Sequence, residues 1–224
     1  MDHPSQASAE PATTHEHHHP SGAGTNAMAA SATLHCLTGC AIGEIVGLVL
    51  GTALSMSNAA TIALSIGLAF VFGYTLSTFP LLRAGLTVGT ALKVVLAADT
   101  LSILTMEVVD NLVMATVPGA MSAGLVNAVF WAGMGLALGV AFVAAFPVNR
   151  YLLSRGKGHA LVHEYHHSAS SPIGVRRLIP SLGSALLATG VAAFLAGGLL
   201  VAVAAEDSSA PITSPAQHDS APHR

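Results

Sequence analysis

Residues 34–56 read LHCLTGCAIGEIVGLVLGTALSM. A hydrocarbon core about 30 Å thick is crossed by about 20 apolar residues of α-helix, and this stretch has that length with Glu44 as its only formally charged side chain. Gly39, Gly43, Gly47 and Gly51 recur every fourth position, which puts them on one helical face. Bare glycine faces let helix backbones approach closely, and in lipid such packing, rather than hydrophobicity, drives helix association. The segment therefore reads as a membrane-spanning helix with a docking face. The rest of the chain agrees: 52% of residues are hydrophobic and only 8% charged, and mean hydropathy is +0.65. A soluble domain carries roughly a quarter charged residues, so most of the surface must face lipid.

Working outward, four further apolar segments lie near 59–82, 94–117, 125–148 and 179–204, which predicts an all-α, polytopic transmembrane bundle of about five spans. The links after the first and third spans are short and hold turn formers, Asn58 and Pro118-Gly119. Those pairs are expected to form antiparallel hairpins. Residues 1–30 and 206–224 lack apolar runs and read as disordered tails around a helical domain at 31–205. The start Met1-Asp2-His3-Pro4 has no charged and then apolar leader, so the first span is expected to serve as an uncleaved signal anchor. Arg83 and Lys93 flank one loop, and Arg150, Arg155, Lys157, Arg176 and Arg177 fall in the loop 150–178, on the same side of a five-span chain. The positive-inside rule puts that side and the N-terminus in the cytoplasm and the C-terminus outside.

Ionisable groups at membrane depth are costly and mark the functional positions. In the first span these are His35, Cys36, Cys40 and Glu44; in the third, Asp99, Glu107 and Asp110, with Asn111, Met106 and Met114 beside them. Cys36, Cys40 and Glu44 repeat at i, i+4, i+8, and Glu107, Asp110, Asn111 and Met114 at i, i+3, i+4, i+7, so each set forms a stripe. The expectation is that the two stripes face each other, that spans one and three pair, and that spans two and four are lipid-facing support.

Thiolate, thioether, imidazole and carboxylate together suit a copper-like or zinc-like ion. The leading expectation is binding or passage of such an ion, with His35, Cys36 and Cys40 at a cytoplasmic entry, Glu44, Met106 and Glu107 at mid-depth with Asp99 near the cysteines, and Asp110, Asn111 and Met114 at the exit. Histidine clusters in the first tail (His17, His18, His19, after His15-Glu16) and in the long loop (His159, His163, His166, His167) are candidate peripheral ligands. Three other readings stay open. One is a carboxylate-lined proton or cation path; another is a scaffold or assembly factor whose polar groups act as interhelical glue. The third is a thiol-redox protein, ranked lower because the chain has two cysteines and no second pair to receive electrons. No phosphate loop, dinucleotide fingerprint or GxSxG is present. A net charge of −3 with no basic patch beyond Arg176-Arg177 argues against nucleic acid. The partners implied are the lipid bilayer and a metal ion, with a homo-oligomer left open.

The phrases LHCLTGCAIGEIVGLVLGTAL, FVFGYTLSTFPLLRAG, AADTLSILTMEVVDNLVM, PGAM and FPVNRYLLSRGKGHA resemble a bacterial membrane family known as domain of unknown function 4396. The resemblance spans residues 33 to 163 and contains His35, Cys36, Cys40, Glu44, Asp99, Glu107, Asp110, Asn111 and Asn149. It implies a multi-helix domain in a bacterial inner membrane and brings no catalytic residue with it.

Overall fold

A computed structural model describes residues 22–155 and 182–209, and within them all regular structure is helical. The helices are α1 (Gly22–Ala53), α2 (Asn58–Arg83), α3 (Val88–Thr116), α4 (Ala128–Ser154) and α5 (Ser184–Ser209), with a single 3₁₀ turn at Ala120–Ser122. Side-chain caps begin three of them. Ser57 accepts from the Ala60 N–H, Thr87 from Thr90, and Asn127 from Val129 at 2.8 Å, each satisfying a backbone donor that has no partner inside the helix. The turns need left-handed backbone at Gly85 (φ 104°) and Gly119 (φ 81°), where glycine carries no Cβ penalty.

By length and composition, α1, α2, α4 and α5 can each cross a bilayer. The third has the length, with 29 residues or about 43 Å of helix, but Lys93, Asp99, Glu107 and Asp110 lower its apolar character. Its three acidic residues are buried in the bundle, where lipid does not meet them.

The bundle is built from two hairpins. The α1–α2 interface is the most extensive and α3–α4 the next; α4 also lies on α1, α3 lies on α2, and α5 touches α1 and α4. The two expected hairpins are thus the largest interfaces, and the first and third spans meet over a smaller one. The cause is the glycine face of α1. A Cβ added at Gly39, Gly43, Gly47 or Gly51 would fall inside van der Waals contact of Gly73, Ala69, Ser65 and Thr61 respectively. Each four-residue step along α1 is matched by four residues back along α2, and every α2 partner is small. Two smooth faces therefore meet with backbones nearly touching.

The expected supporting role of α4 is also revised, because ten of its residues are buried, Trp131, Met134, Leu138 and Asn149 among them. Asn149 Nδ2 donates to Thr33 Oγ1 at 2.9 Å, tying α4 to α1. Gly198 of α5 lies flat on Trp131, whose ring also meets Phe194 edge-on at 5.3 Å.

The first helix starts at Gly22 and takes in residues 22–30, which composition alone assigned to the tail. Tertiary contact explains the difference: Ala29 and Ala32 are buried, and Ser184 of α5 donates to Ser31 at 2.8 Å. At the other end of the chain α5 runs on to Ser209, past the expected limit at 204. Residues 1–21, 156–181 and 210–224 lie outside the described residues, and with them His17, His18, His19, His159, His163, His166 and His167.

Candidate functional site

On α1 the residue after each glycine of the docking face is rotated by about 100° around the axis, so Cys40 and Glu44 follow Gly39 and Gly43 onto an adjoining face, joined by Cys36 one turn earlier. That face meets the acidic side of α3, where Asp99, Ser102, Met106, Glu107, Asp110 and Met114 are all buried. Direct contact between the two helices is slight, yet the side chains bridge it in three steps.

At the first step the Cys36 sulfur lies 3.8 Å from Ser77 Oγ of α2, with Ser102 and Asp99 as its other polar neighbours. Both cysteines are free and buried. At the second, the Cys40 thiol faces the Glu107 carboxylate. At the third, Glu44 and Asp110 stand within hydrogen-bonding reach of each other. The steps Cys36–Asp99, Cys40–Glu107 and Glu44–Asp110 descend a seam between α1 and α3, closed on one side by α2. The two stripes read from the sequence thus do converge.

The seam is poorly satisfied by the protein itself. Glu44 Oε1, both Glu107 oxygens, Asp110 Oδ1 and Ser102 Oγ are buried and have no hydrogen-bond partner beyond the thiols and carboxylates that face them within the seam. Asn111 does not relieve them, because its Nδ2 donates to the Glu107 backbone carbonyl at 2.9 Å. A buried polar group left without a partner costs about 1–3 kcal/mol, and more if charged. Carboxylates as close as Glu44 and Asp110 repel strongly in a low-dielectric surround unless positive charge lies between them. A proton shared between them or a bound cation would relieve that repulsion.

The other candidates fall at the two ends. His35 is buried, with Nδ1 2.8 Å from the Ser31 carbonyl. Met106 sits in the core beside the cysteines. Met114 lines a cleft of about 160 Å³ together with Glu44, Asp110 and Asn111. The cleft lies at the end of the bundle away from Arg83. Among the described residues no three His, Cys, Asp or Glu side chains gather closely enough to clasp a metal ion at once. The donors come in pairs at successive depths, and His35, Cys36 and Cys40 do not form one cluster. Two contributors escaped the sequence reading, Ser77 and Ser102. Ser102 follows Asp99 by three residues on the same stripe, and Ser77 continues the four-residue spacing of Ala69 and Gly73, so periodicity pointed to both.

Four apolar spans around a buried seam of thiols and carboxylates define a polytopic helical integral membrane protein. The family described as Domain of unknown function (DUF4396) matches residues 25–158, and the chain belongs to it. The match takes in α1 to α4, the whole of the seam, and stops before α5. No curated protein and no solved structure matches the chain.

Proposed function

We propose that the chain binds a transition-metal ion of copper-like or zinc-like chemistry and passes it through the membrane along the α1–α3 seam. The observation carrying this reading is the succession of paired donors, Cys36–Asp99, Cys40–Glu107 and Glu44–Asp110, buried together along one seam. Thiolate and carboxylate together suit borderline and soft cations. Two donors per step favour transit over storage, since a closed structural site uses about four ligands and would hold its ion too firmly to release it. Arg83, Lys93, Arg150 and Arg155 sit at the Cys36 end, so by the positive-inside rule an ion enters the seam from the cytoplasm or leaves it there. His35, Cys36 and Asp99 serve that end; Met106, Cys40 and Glu107 serve the middle; Glu44, Asp110 and Met114 serve the far end.

The test is metal flux into proteoliposomes that enclose a zinc- or copper-responsive dye. Glu107→Gln is expected to cut flux at least tenfold, and Cys36→Ser with Cys40→Ser to lower the metal content of the purified protein. Equal flux and equal metal content in these variants and the parent would refute the reading. Metal content that depends on the tail histidines alone would refute it equally.

A further inference from the structure

The cleft at the far end of the seam contains a feature the paired donors do not use. Its wall includes three methionines, Met114 of α3, Met121 of the 3₁₀ turn and Met134 of α4. Resting on the cation reading above, we propose that this cleft is a selectivity site for a soft monovalent cation, copper(I) in chemical class, held by the thioethers of Met114, Met121 and Met134 with Asp110 and Glu44 supplying the negative charge.

Each methionine has a structural reason to be there. Gly119, in the left-handed conformation, turns the chain so that Ala120–Ser122 folds back at the end of α3 and carries Met121 to the cleft. Gly133 has no side chain, and the Met114 sulfur occupies its neighbourhood, 3.3 Å from where a Cβ would stand. That brings this thioether against α4, which also contributes Met134 to the cleft wall. Methionine ordinarily fills gaps in cores, which accounts for the buried Met114 and Met134 taken singly. It does not account for Met121, which is 45% exposed on the cleft wall and fills no gap.

An independent pointer to a ligand is Asp110, only 5% exposed, whose Oδ1 accepts no hydrogen bond and which lines the same cleft. The donor set discriminates. Calcium or magnesium needs six or more oxygen ligands; oxygen donors do line this cleft, on Glu44, Asp110, Asn58, Thr61, Ser65 and Asn111, but three thioethers stand among them. Thioethers favour copper(I) over the harder divalent ions. A neutral, weak thioether site at the mouth of a carboxylate and thiolate path would admit or release a soft ion and turn back a hard one.

Silver(I), a soft monovalent ion without redox chemistry, is the probe. The full-length protein in detergent is titrated with silver(I) and separately with zinc(II), comparing the parent, Met121→Leu, the Met114→Leu/Met121→Leu/Met134→Leu variant and the Cys36→Ser/Cys40→Ser variant. Leucine conserves volume and removes the sulfur, and Met121 is exposed, so the single variant tests the site without disturbing the core. The expected result is that Met121→Leu weakens silver binding several-fold and the triple variant at least tenfold, with zinc binding unchanged. Silver affinity equal to that of the parent in both methionine variants overturns the selectivity site; if the cysteine variant still loses metal in that case, the seam reading survives. Silver lost only in the methionine variants, with the cysteine and Glu107→Gln variants behaving as the parent, supports the cleft and refutes the seam.

Discussion

Gly43→Ala is a single methyl group placed where the structure has no room for it. The added carbon would lie inside van der Waals contact of the Ala69 N and Cα and the Leu68 carbonyl carbon, all backbone atoms of α2, which cannot swing aside as a side chain would. Carbon contacts are optimal near 3.5–4.0 Å, so α1 and α2 must part by about 1 Å. A gap of that size forfeits roughly a quarter to a half of the dispersion energy of each contact it opens, and four glycine positions from Gly39 to Gly51 open together because both helices are stiff. Small-to-large changes in tight packing cost about 1–3 kcal/mol. Alanine returns up to about 1 kcal/mol as the better helix former, leaving a net loss of up to about 2 kcal/mol. Gly67→Ala is the matched control, since nothing lies within 4 Å of its added carbon and only the propensity gain applies. The assay is reversible unfolding in mixed micelles of rising dodecyl sulfate fraction, followed by helical circular dichroism. Gly43→Ala should unfold at a lower dodecyl sulfate fraction than the parent and Gly67→Ala at an equal or higher one. If both shift alike, the close approach of α1 and α2 is not what holds the hairpin.

At the α4–α5 contact, a Cβ on Gly198 would sit 2.5 Å from the Trp131 ring, and Trp131 is the only tryptophan of the chain; Gly198→Ala should therefore change its fluorescence, and an unchanged spectrum would show that α5 does not rest on that ring. Glu107→Met replaces a buried carboxylate whose polar neighbour in the seam is a weak thiol donor, Cys40, so the metal-free protein should gain about 1–3 kcal/mol of stability while losing transport. A loss of stability instead would mark Glu107 as a structural group. Thiol ligands give up protons when they take a metal, so metal affinity should rise with pH, and Cys36→Ser with Cys40→Ser should flatten that rise; a slope unaltered by the double change would remove the thiols from the ligand set.

The apolar runs were enough to place the helices because a bilayer imposes a length that sequence shows directly. The facing stripes of α1 and α3 were legible for a related reason: lipid forbids an ionisable group to point outward, so Glu44, Glu107 and Asp110 had to turn toward protein. The start of α1 was not legible, since residues 22–30 are small and weakly apolar, and what orders them is contact with α5 and burial of Ala29. The dominance of the α1–α2 interface was legible only in half. The glycines of α1 announce a docking face, but Thr61, Ser65, Ala69 and Gly73 announce its partner only when their common spacing of four is read as a second face. Serine and threonine are common in loops and helices alike, so the residue types alone did not raise Ser77 or Ser102, although each lies on the periodicity of its neighbours.

The two faces of α1 are also mechanically joined. Because Cys40 and Glu44 each follow a glycine of the docking face, the angle between the packing face and the polar face is set by the helix itself, about 100°. Locking Gly39 and Gly43 against Gly73 and Ala69 therefore fixes where the thiol and carboxylate of the next residues point, and the small direct contact of α1 with α3 is sufficient because α2 has already set the rotation. The unpartnered oxygens of Glu44, Glu107 and Asp110 would otherwise drive the helices to rotate and bury something less costly. A tight, apolar, close-packed hairpin beside a seam with unsatisfied carboxylates is the combination expected when the stability of one interface keeps open the site of another. It follows that Gly43→Ala should disturb cation binding at Cys40 and Glu44 as well as weaken the hairpin, although it touches neither residue's partner on α3.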